Sequence, residues 1–285
     1  MSPAEATGAS AAHRFSPSEA ALHGFDVIRE HWRVVVGWAL FNIVALVALV
    51  IATVVISFGL AAASSSGAVQ LSGQLGELFA TVGTAFTEAV VAAGLFRLML
   101  RPEEPGFLHL RLGADELRIL GVWALMAVAA FLLIGVCAAL VMAGREIGPG
   151  AAIAAWLTVV GVGGWLGLRF SLAAVATFAE RRFALVSSWR MTRGHGWSLL
   201  GMAVLSVCVV ALLALLVALA LMLVMGLSVG FGAMFEGLTD AEGLKSHPIV
   251  YLVQLGVQLA LFPAAAVLLL APWVTAYQAL GGETA

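Results

Sequence analysis

The sequence predicts an all-α fold, a polytopic transmembrane helical bundle of six spans. Of its 285 residues, 62% are hydrophobic and only 11% are charged, and the mean hydropathy is +1.06. Soluble domains carry about 45–50% apolar and about 25% charged residues. This composition therefore excludes an ordinary soluble enzyme, a disordered chain and a nucleic-acid binder. The apolar residues also lie in continuous runs, whereas a transmembrane barrel needs short alternating strands.

Six apolar runs are long enough to cross the hydrocarbon core, which takes about 20 helical residues. They are residues 34–60, 78–100, 119–143, 151–178, 199–227 and 249–277. The first run is too long, and its polar leader too extended, for a cleavable signal peptide. We expect residues 1–16 to form a flexible cytoplasmic tail and residues 17–285 to form a single six-helix transmembrane domain.

The basic residues predict the orientation of these spans. Of the fourteen, only Arg145 and Lys245 fall on one side of the predicted membrane. The other twelve are Arg14, Arg29, Arg33, Arg97, Arg101, Arg111, Arg118, Arg169, Arg181, Arg182, Arg190 and Arg193. The positive-inside rule then places both termini in the cytoplasm. Thirteen of the fourteen are Arg, which together with the Ala and Gly richness indicates a bacterium and hence its cytoplasmic (inner) membrane.

The odd-numbered spans begin with similar sequences, which suggests an internal repeat. Residues 33–40 align with residues 118–125, and residues 197–204 form a weaker third copy. Residues at helical spacing precede the first and third copies. They are Phe25, Ile28 and Trp32 before the first, and Phe183, Val186 and either Trp189 or Arg190 before the third. This pattern predicts three helical hairpins, each led by a cytoplasmic interfacial helix. Alternatively, Trp and Arg recur at membrane boundaries for physical reasons alone.

Two connections between spans carry a family resemblance. Residues 96–118, which contain Arg101-Pro-Glu-Glu-Pro-Gly106, and residues 181–197, which contain Trp189-Arg-Met-Thr-Arg-Gly-His195, resemble stretches of six-span inner-membrane proteins of alphaproteobacteria. Those proteins are similar to the membrane domain attached to some bacterial glycerophosphodiester phosphodiesterases. The resemblance implies a six-span membrane fold. The catalytic barrel of the phosphodiesterases has no counterpart in this sequence, so the resemblance implies no enzymatic activity.

Polar residues within the spans are candidate functional residues, because each costs a few kcal/mol at the bilayer centre unless it is paired. Glu88 and Arg169 are the deepest acid and base, both roughly 18–20 Å from the cytoplasmic ends of their spans at ~1.5 Å per residue. We therefore predict a Glu88–Arg169 ion pair. Two interpretations stay open: the pair orients the helices while threonines bond their own backbone, or it belongs to a polar or proton-linked path.

Two further sets of residues in the spans are singled out by their spacing. Glu77, Thr81 and Thr84 share the helical face of Glu88, and Tyr251, Gln254 and Gln258 share a face of the sixth span, ahead of the kinking prolines Pro263 and Pro272. These polar faces could line a solvated path or make interhelical hydrogen bonds, and we expect a similar polar contact from Asn42 in the first span. Gly163 and Gly167 show the spacing of small residues that permits close approach of two helices.

No catalytic constellation, metal-ligand set or cofactor motif is visible in the sequence. The basic cluster Arg181, Arg182, Arg190 and Arg193 is a candidate for binding anionic lipid headgroups, although the positive-inside bias alone also explains it. We therefore favour a non-catalytic inner-membrane protein that acts through contacts with membrane lipids or other membrane proteins. The alternative is a small transporter or channel with a polar path near Glu88 and Arg169. An intramembrane enzyme is the third hypothesis.

Overall fold

The computed structural model describes residues 16–62, 68–103, 106–230 and 248–282, which are helical and contain no strand. The helices are α1 (Pro17–Glu30), α2 (Trp32–Ala62), α3 (Ala68–Leu100), α4 (Ala114–Ile147), α5 (Pro149–Phe170), α6 (Ala173–Glu180), α7 (Leu185–Met191), α8 (Gly196–Val229) and α9 (Pro248–Gly282), with a 3₁₀ turn at Phe107–His109. All but the last residue of the predicted tail, 1–16, lie outside the described residues.

Six helical stretches of the described chain are long and apolar enough to cross a membrane. They are Trp32–Gly59, Gly73–Leu100, Ala114–Gly144, Gly150–Glu180, Gly196–Leu227 and Gly256–Gly281. The predicted all-α, six-span fold is confirmed. The fourth span is not one straight helix, because it breaks into α5 and α6. At the break, the Ser171 hydroxyl donates to the Leu168 carbonyl at 2.8 Å, a local bond of the kind that bends helices.

The six spans pair in chain order as α2 with α3, α4 with α5, and α8 with α9. The α4–α5 turn needs two glycines. Gly148 has φ +146°, a conformation that side chains rarely allow. A Cβ on Gly144 would lie only 2.9 Å from the backbone nitrogen of Ala152. The bundle therefore consists of three antiparallel hairpins, as the repeat predicts.

A short helix precedes two of the three hairpins. The helices α1 and α7 lead into α2 and α8, but the described residues between α3 and α4 form only the 3₁₀ turn. The prediction of a leading helix for the middle hairpin is wrong for these residues. Pro102 removes a backbone donor just after α3. Leu108 and His109 adopt left-handed backbone conformations, with φ of 55° and 58°.

The helix α1 packs lengthwise against α9 and also touches α8. Its buried face consists of Ala20, Ala21, Gly24 and Val27. A Cβ on Gly24 would lie 3.0 Å from the Leu268 Cα, so the two backbones are close. Phe25 and Trp32 stay exposed, and their apolar rings are free to enter a membrane interface.

The packed core lies at one end of the bundle. We call this the arginine-rich end: there α2, α4 and α8 begin, and α3, α6 and α9 end. The largest buried side chains include Trp38, Phe96 and Phe178, which all lie at this end. Within an apolar 18-residue stretch of each span, 44% of the residues of α3 and 39% of those of α9 are buried, whereas none is buried in the corresponding stretches of α4 and α8. The helices α3 and α9 are thus the central pair, and the other spans present apolar faces outward.

Candidate functional site: the arginine-rich end

A buried ion pair joins the last turn of α3 to the first turn of α4. The Arg97 guanidinium donates to the Glu116 carboxylate, and the two side chains are 4% and 0% exposed. Arg97 Nη1 also donates to the carbonyl of His109 at 3.0 Å. Loss of either partner would leave an uncompensated charge, so the pair holds both helices to the connection between them.

Arg101 ties the same connection to the end of α6. Its Nη2 donates to the carbonyls of Phe178 and Ala179 at 2.9 and 3.2 Å, and these carbonyls belong to the last turn of the helix. Its guanidinium lies 4.7 Å from the centre of the Phe178 ring. Asp115 lies 3.7 Å from Arg101 and accepts a hydrogen bond of 2.6 Å from Arg118. This network connects α3, α4 and α6.

The strained connection between α3 and α4 is held by side chains from two helices. Trp38 Nε1 of α2 donates to the carbonyl of Leu108 at 2.8 Å, and Arg97 holds the carbonyl of His109. Both carbonyls belong to residues with left-handed backbones. Burial lowers the pKa of His109, and the nearby His31 and Arg97 lower it further, so the neutral imidazole is favoured.

Exposed arginines and tryptophans surround this end of the bundle. We call the exposed residues Arg29, Trp32, Arg33, Arg190, Arg193 and Trp197 the Arg/Trp belt. Trp197 is 87% exposed at the start of α8, and the Arg33 guanidinium lies 5.5 Å from the centre of the Trp32 ring. Exposed tryptophans next to arginines are typical of the headgroup layer, where the ring is partly apolar and the cation meets phosphate.

The four predicted headgroup-binding arginines are all exposed, but their surroundings differ. Arg182 forms an ion pair with Glu180 at 2.7 Å. Arg181 ends α6 in a left-handed conformation, with φ of 55°. Arg190 and Arg193 extend from the end of α7 and belong to the Arg/Trp belt. Two of the four are thus open surface cations, and the other two are constrained by the end of α6.

The predicted Glu88–Arg169 ion pair is wrong, because no such contact exists in the described part of the chain. The Arg169 guanidinium instead lies 5.5 Å from the rings of both Trp165 and Trp189. Its carbonyl accepts a hydrogen bond of 2.9 Å from Ser188 of α7. The helix α5 packs mainly on α4, α7 and α8, whereas α3 packs on α2, α4, α6 and α9. The helices that carry Glu88 and Arg169 are therefore not principal neighbours.

The polar face of α3 consists mostly of residues that bond their own helix. The hydroxyls of Thr81 and Thr84 donate to the carbonyls of Glu77 and Ala80, each at 2.9 Å. Glu77 and Thr81 are exposed, and Glu88 is half-buried. The interpretation that these threonines bond their own backbone is confirmed. Glu88 makes no ion pair or hydrogen bond with another described residue.

The predicted polar face of α9 is described only in part. Gln258 is exposed, whereas the side chains of Tyr251 and Gln254 lie outside the described residues. Asn42 makes the interhelical contact that the sequence predicts, because its Nδ2 donates to the Leu259 carbonyl of α9 at 3.3 Å. Pro263 has no N–H for that carbonyl four residues earlier. Asn42 therefore satisfies the acceptor that the proline leaves unpaired.

Of the two glycines in α5 that were predicted to allow close approach of a second helix, only Gly163 makes such a contact. A Cβ on Gly163 would lie 2.8 Å from Leu133 Cδ2 of α4, so this glycine permits close packing of the hairpin. Gly167 has nothing within 4 Å of the corresponding point. The prediction of close approach is confirmed at Gly163 and wrong at Gly167.

The sequence analysis missed the Arg97–Glu116 pair, because it used Arg97 only to predict the orientation and assigned no role to Glu116. A signal was present. Asp115-Glu116 opens a long helix after a short connection, and Arg97 lies in the last turn of the helix before that connection, so the opposite charges are close along the chain. Among the described residues, no group of three or more His, Cys, Asp or Glu side chains is arranged to hold a metal ion.

Comparison with known proteins assigns this chain to no family. Searches against protein-family models, curated proteins and solved structures find nothing that matches the chain. The resemblance to six-span proteins of alphaproteobacteria therefore stays a prediction. The chain is identified by its structure as an integral, multi-pass helical membrane protein.

Proposed function

We propose that this protein is a non-catalytic component of a bacterial cytoplasmic membrane that recruits anionic lipid headgroups at its arginine-rich end. The Arg/Trp belt is the observation that supports the proposal. Its arginines lie at the end where the described helices pack tightly, and its tryptophans Trp32 and Trp197 are exposed at the same end. In this orientation both termini and the belt face the cytoplasm, where anionic lipids attract basic residues by about 1 kcal/mol each.

The rigidity of this end supports the same role. The belt residues extend from α1, α2, α7 and α8, except Arg193, which lies in the turn between α7 and α8. The helices α1 and α8 pack on the central helix α9. A belt carried mostly by packed helices loses less backbone conformational entropy on binding headgroups than a belt carried by a long loop would lose. The lipids held there could also form the contact with other membrane proteins.

Fluorescence quenching by brominated lipids tests the proposal, since bromine quenches only tryptophans that it contacts. The protein is reconstituted into phosphatidylcholine vesicles with increasing brominated phosphatidylglycerol. We expect the wild type to prefer phosphatidylglycerol over phosphatidylcholine several-fold, and the Arg190→Gln/Arg193→Gln variant to lose most of that preference. Arg145→Gln, at the far end of α4, is the control and should behave as the wild type. An equal preference in all three proteins would refute the proposal.

The alternative function, a small transporter or channel, has one supporting observation. Glu88 is a half-buried carboxylate within a span, with no ion pair to any described residue. Such groups mark many ion and proton paths. Proton or ion flux into vesicles tests this function. A flux that falls on Glu88→Gln would favour it over the first function, provided that Glu77→Gln, the control at the exposed end of the same helical face, leaves the flux unchanged.

A further inference from the structure

Arg169 is a cation within the fourth span, in the last turn of α5. It forms no ion pair with a described residue, and its Nη1 is buried without a hydrogen-bond partner. A charged side chain within a span is normally paired, because the hydrocarbon core does not solvate it. Arg169 therefore lacks the counter-charge that its position ordinarily requires.

The helices around Arg169 cannot supply this counter-charge. The helix α5 packs mainly on α4, α7 and α8. Aspartate and glutamate are absent from the sequences of α5, α7 and α8. Both acids in the first turn of α4 are paired with arginines, and Glu146 lies at the opposite end of that helix. An anion that pairs with Arg169 must therefore come from outside these helices.

Two tryptophans hold the guanidinium in place. The buried hydroxyls of Ser188 and Thr192 in and after α7 donate to the Arg169 carbonyl at 2.9 and 3.4 Å, which fixes α7 on the end of α5. This contact places Trp189 against Trp165, with the ring centres 5.2 Å apart. The guanidinium lies 5.5 Å from the centre of each ring, within the range of cation–π attraction. The cation is therefore oriented without a carboxylate.

One edge of this guanidinium stays accessible. Arg169 is half-buried as a residue, and Nη1 is the one of its three side-chain nitrogens that is enclosed without a partner. The other two, Nε and Nη2, donate to no described residue and lie on the same edge of the planar group. Two parallel N–H groups on one edge match two oxygens of a phosphate.

The surface that leads to Arg169 faces lipid. Val162 and Trp165 precede Arg169 by seven and four residues, so all three share one face of α5. Val162 is 44% exposed and Trp165 is 49% exposed, and both lie within the fourth span. Acyl chains can cover such a face. At the end of a span, the anion beside lipid-facing residues is the phosphate of a headgroup, which an arginine reaches with its long side chain.

We propose that Arg169, Trp165 and Trp189 form a binding site for one anionic phospholipid with an uncharged headgroup, such as phosphatidylglycerol. The phosphodiester accepts hydrogen bonds from Nε and Nη2 of Arg169, and the acyl chains follow α5 past Val162. The single charge of the phosphodiester matches the single guanidinium. A headgroup ammonium, as in phosphatidylethanolamine, would find no carboxylate on α5, α7 or α8. None of the three residues belongs to the Arg/Trp belt, so the site does not depend on recruitment of lipids by that belt.

Native mass spectrometry of the full-length protein in mild detergent tests the site. The protein is titrated with phosphatidylglycerol or phosphatidylethanolamine, and bound lipids are counted. We expect the wild type to bind one phosphatidylglycerol several-fold more tightly than phosphatidylethanolamine. Arg169→Gln should weaken the binding of phosphatidylglycerol by about tenfold or more and abolish the preference. Arg169→Lys keeps the charge but loses the planar pair of donors, so it should bind several-fold more weakly than the wild type.

The two tryptophans of α5 give a matched control. Trp165 and Trp156 are 49% and 54% exposed, and their replacement leaves the buried core unchanged. Trp165→Leu should weaken the binding of phosphatidylglycerol several-fold, whereas Trp156→Leu and the belt variant Arg190→Gln/Arg193→Gln should bind as the wild type. The site is refuted if the wild type shows no preference, or if Arg169→Gln and Trp165→Leu bind as well as Trp156→Leu. Because the belt experiment depends on Arg190 and Arg193, the two proposals fail separately.

Discussion

The arginine-rich half and the far half of the bundle differ in what their helices contact. In the first half, helices pack on one another, and polar groups meet partners across elements, as in the Arg97–Glu116 pair and the Trp38–Leu108 hydrogen bond. In the far half, the same helices present apolar side chains outward, and Phe131 is 76% exposed. Lipid acyl chains can cover that surface. Among the described residues, buried packing and polar contacts between helices are thus concentrated at the arginine-rich end.

The largest expected effect comes from unpairing the buried charge. Glu116→Gln leaves the Arg97 guanidinium buried without its carboxylate, which destabilises by about 3–5 kcal/mol. The free energy of unfolding is measured by SDS titration in mixed micelles. The control is Arg182→Gln, which breaks a pair whose arginine side chain is 72% exposed and should cost at most about 1 kcal/mol. Equal effects of the two variants would show that the network does not stabilise this end.

The next prediction compares two phenylalanines, one from each half. Phe96→Ala removes a fully buried ring that packs edge-on against Phe178, and about 3 kcal/mol of stability should be lost. Phe131→Ala removes a ring that is exposed to lipid and should change stability by roughly 0.5 kcal/mol or less. The same mixed-micelle titration measures both. A larger loss of stability for Phe131→Ala than for Phe96→Ala would mean that the far half is the more tightly packed one, and it would contradict the difference between the two halves.

A smaller effect is expected where the polar network extends toward the far half. Asn42→Ala leaves the Leu259 carbonyl without a donor, because Pro263 has no N–H, and costs about 1 kcal/mol. Thr81→Ala is the control, since its hydroxyl bonds only its own helix at an exposed position. Unfolding in mixed micelles should separate the two variants. Identical stabilities would mean that the Asn42 contact contributes nothing.

The smallest effect expected is a dependence of stability on pH through His109. Its pKa is lowered in the folded protein by burial, then by His31 and Arg97. Protonation therefore favours the unfolded state. The stability that the neutral imidazole contributes is present above about pH 6.5, the unfolded pKa, and is lost as the pH falls through the folded pKa. His109→Asn, which tolerates the left-handed backbone, should flatten stability between pH 7 and the folded pKa. A wild-type profile that is already flat there contradicts this account.

The fold was predictable from the sequence, because span length and hydrophobicity act locally along the chain. The hairpin partner of each span also followed, since short connections force neighbours to pack. The depth of a side chain inside the membrane, in contrast, could not be predicted by counting residues from the end of its span. The prediction of a Glu88–Arg169 ion pair required one straight fourth span. The chain instead bends near Ser171, and α5 packs on other helices than α3. Which helices become neighbours in a bundle depends on how each helix is rotated about its axis and where it bends, and the spacing of residues in the sequence does not predict either.

The candidate site was predictable only in its charge. The sequence shows that arginines gather at one side, and Arg190 and Arg193 are open cations as expected. It does not show that Arg97 is buried on Glu116, because that contact depends on the course of the connection between α3 and α4. Left-handed Leu108 and His109 give this connection its shape, and leucine is not a residue type that signals such a conformation.

Hydrogen–deuterium exchange in nanodiscs tests most directly the claim that the arginine-rich end is where this protein binds anionic lipids. Exchange is compared between phosphatidylcholine nanodiscs and nanodiscs that also contain phosphatidylglycerol. The account predicts slower exchange in residues 29–33 and 181–197, with no change at the α4–α5 turn around residues 144–150. Unchanged exchange at both arginine-rich segments, or protection confined to the α4–α5 turn, would contradict it.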